Sequence, residues 1–100
     1  MKTKNFDVYL KKRLDKKEIA DIKSIARSEF EALKRLQSDI AKWISKYMAQ
    51  EDIGFNELVR RLGVSASQAV KIRDGQANLT LASIAHIAAL IKKRPHLIFE

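Results

Sequence analysis

The chain has 100 residues, 46% of them hydrophobic and 32% charged, with a formal net charge of +8. That length bounds it to one domain with an extension and a modest core, which dimerisation would support. The absence of cysteine excludes a disulfide framework and thiolate metal sites. No apolar run approaches the roughly 18 residues of a membrane span. The opening MKTKNFDVYLKKRLDKKE lacks the apolar stretch of a secretory signal, so the expectation is a cytoplasmic protein without a membrane partner. The basic balance suits a polyanion, because neutralising phosphates is a main source of nucleic-acid affinity. Charge alone is equally compatible with plain solubility.

Gly54, Gly63, Gly75 and Pro95 are the only glycines and proline, and the first 53 residues have neither. Strands in a small domain need turn residues close by, so an all-α fold is expected. Phe6, Tyr9, Leu10 and Leu14 fall at helical spacing and predict a short first helix. Asp15 and Glu18 have the form of a capping box that starts a second. Its apolar stripe is Ile19, Ile22, Ile25 and Ala26, continued by Phe30, Leu33, Leu36, Ile40, Trp43, Ile44 and Tyr47. Residues 16–49 are either one helix or two broken near Ser28. Glu31 and Arg35 form an i,i+4 pair on the exposed face.

Glu51–Gly54 reads as a turn, followed by a helix over Phe55–Arg61. Gly63 ends that helix in the left-handed conformation that glycine adopts cheaply. Ser65 caps the next helix, with Gln68 three residues on, and Asp74–Gly75 stop it after Arg73. Leu58, Leu62, Val64, Ala69 and Ile72 are the apolar positions of this helix, turn and helix. Thr80 caps a last helix with the stripe Leu81, Ile84, Ile87, Ala88 and Ile91. Leu97, Ile98 and Phe99 are apolar and need a cover, from this chain or a partner. Such a helix pair can brace one helix so that the next lies in the DNA major groove, about 12 Å wide.

Residues 54–91 resemble the Cro/CI-type (Xre) helix-turn-helix family. The resemblance rests on Glu57-Leu58, Leu62-Gly63-Val64-Ser65, Ile72, Gly75, Asn78-Leu79-Thr80-Leu81, Ile84 and Ile87-Ala88. Tyr9-Leu10, Leu14–Glu18 and Ser28–Glu31 look like the N-terminal extension of HigA-type antitoxins. The resemblance implies a five-helix, lambda-repressor-like domain over 28–94, an N-terminal helical extension over 1–27, and a C-terminal tail over 95–100 available for dimer contact. Gly54 and Phe55 stand where the family often has Thr or Ser and then Gln. The family's frequent Arg–Glu pair would fall on Met48 and Arg73 and cannot form.

In this motif the first turn of the recognition helix faces base edges. Here that means Ser65, Ala66, Ser67 and Gln68, with Lys71 one turn later. Gln pairs with adenine, Lys donates to guanine and Ala touches a thymine methyl. Phosphate contacts would come from Arg60, Arg73, Gln76, Asn78 and the N–H groups near Phe55 and Asn56. The plain alternatives are a helix cap for Ser65, a solvated face for Gln68 and Lys71, and solubility charge for Arg60. Trp43 and Tyr47 read as core or dimer seam rather than a base-stacking platform. His86 and His96 have no cysteine company and imply no metal. No catalytic constellation and no cofactor site are present, so an enzyme is not expected.

The function expected is a sequence-specific repressor that binds a palindromic double-stranded operator as a homodimer. Its dimer seam would be Leu90, Ile91 and Leu97–Phe99, or the Trp43 face. The HigA-like start implies an autoregulating antitoxin with a small cognate toxin. Residues 1–26 carry eight Lys/Arg against four Asp/Glu, so Glu29, Glu31 and Asp39 are the better contacts for a basic toxin. A toxin-free or phage-type Xre repressor and a helical protein-interaction module are the alternatives.

Overall fold

A computed structural model describes residues 16–100 and holds four helices there. These are α1 (Lys16–Glu51), α2 (Phe55–Leu62), α3 (Ala66–Arg73) and α4 (Leu81–Leu90), with no strand among the described residues. The all-α expectation is met. The five-helix count is not met among these residues. The segment Phe6–Leu14 and the Asp15 cap lie outside them, and α1 runs through Ser28 without a break. Nothing in its sequence would break it, since glycine and proline are both absent there. The i,i+4 ion pair expected of Glu31 and Arg35 is not among the salt bridges of the described residues.

The chain divides into two compact units, 1–33 and 34–100. In the first, the described residues 16–33 are helical, and Ile22, Ile25, Phe30 and Leu33 are exposed. The second holds the remainder of α1 together with α2, α3 and α4. Its core is Ile44 from α1, Leu58 and Leu62 from α2, Ala69 and Ile72 from α3, Ala77 from the following loop, and Ile87 from α4. The apolar spacing of 58–72 therefore marks the buried face, with Val64 half-buried beside it.

One stripe assignment is corrected, and the reading of Trp43 as core or dimer seam is narrowed. Leu81 is 80% exposed, because α4 is apolar nearly all round and its core-facing side is set by Ile84, Ile87, Ala88 and Ile91. Trp43 is not core: it is exposed, with the ammonium groups of Lys46 and Lys93 at 4.6 and 5.2 Å from its ring centroid. The tail residues Leu97, Ile98 and Phe99 are not covered by this chain.

The helix ends explain the tight connections. α1, α3 and α4 finish with the same bond pattern, in which the residue after a left-handed one donates to a carbonyl five residues back. The bonds are Ile53 N to Met48 O (3.1 Å), Gln76 N to Lys71 O (2.8 Å) and Lys93 N to Ala88 O (3.0 Å). The left-handed residue is Gly75 in α3, but Asp52 in α1 and Lys92 in α4.

A long-range bond organises the loop after α3. Gln37 of α1 is buried, and its amide donates to the Ala77 carbonyl at 2.9 Å and to Asn78 Oδ1 at 3.4 Å. Gly75 lies close to the same turn of α1, where an added Cβ would sit 3.4 Å from the Gln37 carbonyl and 3.6 Å from Ala41.

Two stability changes follow. Gln37→Leu removes the donor to a buried carbonyl and lowers stability by about 1–3 kcal/mol, read as a fall in the thermal midpoint. Gly63→Ala meets no atom within 4 Å but must hold φ 68°, so it costs about 1–2 kcal/mol from backbone strain alone.

Candidate nucleic-acid interface

α2 and α3 are each eight residues long and are joined by Gly63–Ser65. Gly63 has φ 68° and ψ 28°, and its N–H closes α2 on the Val59 carbonyl at 3.0 Å. Ser65 is extended, and its Oγ accepts from Gln68 N at 3.1 Å, capping α3 as the sequence predicts. Thr80 caps α4 in the same way through Ser83 N. His86 of α4 meets the Leu62 carbonyl at 3.0 Å, so its ring N–H donates to the last turn of α2.

Ala69 and Ile72 point α3 into the core, which turns its other side outward. Of the five residues expected to face bases, Ser65, Ala66, Ser67 and Lys71 are exposed and Gln68 is half-buried, and the Ser65 and Ser67 hydroxyls lie 3.3 Å apart.

The residues expected at phosphates are placed less uniformly. α2 begins at Gly54 with no side-chain cap, and its first helical bond is Leu58 N to Gly54 O at 3.1 Å. The N–H groups of Phe55, Asn56 and Glu57 precede that bond, as at any helix start. The Arg73 guanidinium stacks 4.9 Å from the Phe55 ring centroid and donates to Asp74 at 3.0 Å. This contact brings the start of α2 and the end of α3 together. Gln76 is exposed, and Asn78 is exposed with its Oδ1 taken by Gln37. Arg60 is directed at Glu57, with Nε 2.9 Å from Oε1 and Nη2 on Oε2.

Sequence reading missed the network beside it. Arg61 donates to Glu57, to Glu51 and to the Tyr47 hydroxyl, each at 2.9 Å. It ties the end of α1 to α2. The Glu57–Arg61 spacing of four was a readable signal. The approach of Tyr47 and Glu51 was not.

Hydrogen bonds from Arg60 and then Arg61 pull the Glu57 carboxyl from the ordinary 4.5 to about 2. Both guanidiniums are shifted upward by the same bonds. One carboxylate therefore offsets part of two cations on the outer side of α2.

Among the described residues, no helix is long and apolar enough to cross a membrane, and no His, Cys, Asp and Glu group is placed to hold a metal ion. Comparisons with protein-family models, with curated proteins and with solved structures found no match.

The Glu57 cluster has an acid signature. A carboxyl depressed below its unfolded value stabilises the fold above pH 4.5 and loses that contribution as pH falls from 4.5 to about 2. In acid unfolding followed by circular dichroism, Glu57→Gln is expected to show a flatter limb across that window. A limb as steep as the parent's would mean that the pair does not persist in solution.

Proposed function

We propose that this chain is a sequence-specific DNA-binding regulator that uses α2 and α3 as a helix-turn-helix of the Cro/CI (Xre) type. The observation carrying this reading is the first turn of α3, where Ser65, Ala66 and Ser67 are exposed and Gln68 is half-buried, with Lys71 exposed one turn on, while Ala69 and Ile72 are buried. The uncapped start of α2, with Arg73 stacked on Phe55, supports phosphate contact alongside. The net charge of +8 supplies the non-specific part of the affinity. A single small module buries little DNA-facing surface, so the reading includes a homodimer on a palindromic site.

Only Lys71 is charged within the reading surface. Direct contacts then discriminate by about 1–3 kcal/mol per good pair, and DNA shape contributes the remainder.

A second reading adds a protein partner, the small toxin of a toxin–antitoxin pair whose operon this chain represses. It is favoured by the exposed Ile22, Ile25 and Leu33 on residues 16–33, an apolar set that solvent does not stabilise. A short neighbouring open reading frame that is lethal alone and harmless when co-expressed with this chain would bear it out. A gene with no such neighbour removes it.

Selection of bound duplexes from a random pool tests the main reading. Gln68→Ala and Lys71→Ala are expected to relax the selected motif at single positions. Arg73→Ala is expected to weaken binding uniformly and to reduce the salt slope by about 1. An absence of salt-dependent duplex binding overturns the reading.

A further inference from the structure

The outer face of α4 combines two properties that rarely coincide on a surface. Residues 75–91 contain no Asp, Glu, Lys or Arg, although 32% of the chain is charged. The helix LASIAHIAAL is apolar almost all round, a pattern normally enclosed on every side. Here only one side is enclosed. Leu81, Ala82, Ala85 and Ala89 are exposed, and at about 3.6 residues per turn they form one strip. Beside the strip lies a groove of about 250 Å³, walled mainly by Leu62, Val64, Leu79, Ala82 and His86. An apolar cavity of about 150 Å³ already takes a benzene, so this groove has room for a leucine side chain.

We propose that a second copy of this chain docks on α4. The two α4 helices cross antiparallel about a two-fold axis between Ala82 and Ala85, and each Leu81 enters the groove of the other copy. One patch serves both copies, as an isologous interface requires. Ala82 and Ala85 let the backbones approach, and Leu81 supplies the knob.

Charge selects the occupant. Two copies of a +8 chain repel through every basic face, and the charge-free strip is where they meet at least Coulomb cost. An acidic partner gains nothing from that strip. The other apolar surfaces suit self-association less well. Leu97–Phe99 follow Lys92, Lys93 and Arg94 directly, and Trp43 carries two ammonium groups over its ring. Pairing at either would bring like charges together.

The proposal deepens the homodimer of the regulator reading, and its test uses no DNA. The full chain is expected to sediment as a dimer. Leu81→Glu is expected to weaken self-association about tenfold or more while keeping the parent's helical circular dichroism. The chain has no cysteine, so an equimolar mixture of Ala82→Cys and Ala85→Cys chains reports the axis on its own: mild oxidation is expected to give mainly the mixed covalent dimer, and Ser45→Cys on α1 none. A parent chain that is monomeric at high micromolar concentration overturns the proposal. So does a dimer that survives Leu81→Glu or is lost instead with Phe99→Glu. A dimer through α4 that ignores DNA keeps this proposal and removes the regulator reading, and a monomer that binds an operator does the reverse.

Discussion

An eight-residue helix has no stability of its own in water, where helices shorter than roughly 12–15 residues are marginal. Both α2 and α3 have that length. They exist because Leu58 and Leu62 on one, and Ala69 and Ile72 on the other, share a closed apolar seam with Ile44 and Ile87. Ala69 is fully buried, and its small side chain lets the α3 backbone approach the seam closely. The orientation of α3 is thus a consequence of burial. Its outward residues face solvent because the inward ones have no other place to go.

Polar contacts then fix what the seam leaves free. Gln37 holds the Ala77 carbonyl, Arg61 joins α2 to the end of α1, and His86 holds the last carbonyl of α2. Each acts at the end of a short element, where backbone groups lack helical partners and a side chain does most to set direction. The same contacts redistribute charge. Glu57 and Glu51 offset part of the cationic charge on the outer side of α2, while Lys71 stays exposed on α3.

The short-range features were legible in the sequence. Gly63, Ser65 and Thr80 announced their caps because each acts within three or four residues of itself, and the spacing of Leu58, Leu62, Ala69 and Ile72 marked the inner face. The Gln37 lock was not legible, because its partner lies 40 residues away. The left-handed Asp52 and Lys92 were missed because such positions are looked for at glycine. Leu81 failed for a different reason. A stripe can be read only against a polar background, and α4 has almost none. For Trp43 the periodicity left core and dimer seam open; its ring is exposed, with Lys46 and Lys93 over it. The exposure of Ser65, Ala66 and Ser67 was legible from the caps and the buried Ala69 and Ile72, whereas the half-burial of Gln68 and the engagement of Arg60, Arg73 and Asn78 by neighbours were not.

The proposed recognition surface and the proposed self-association surface meet in one place. The groove beside α4 is also lined by Gln68, the residue proposed to read an adenine, and by Ile72 on the inner side of the same helix. A leucine seated there from a second copy would press on α3 directly. Dimer contact would then stiffen the rotamer of Gln68 and the tilt of α3, as well as set the distance between two recognition helices. For a reading surface with one charged side chain, such stiffening matters more than further contacts would, because ordering a side chain before it meets DNA removes about 0.5–1.5 kcal/mol of the cost of binding. On the proposed reading, a copy in which the groove stands open would have to order Gln68 at the moment of contact, so affinity for half a site would fall for two reasons, the lost second module and the unprepared first one.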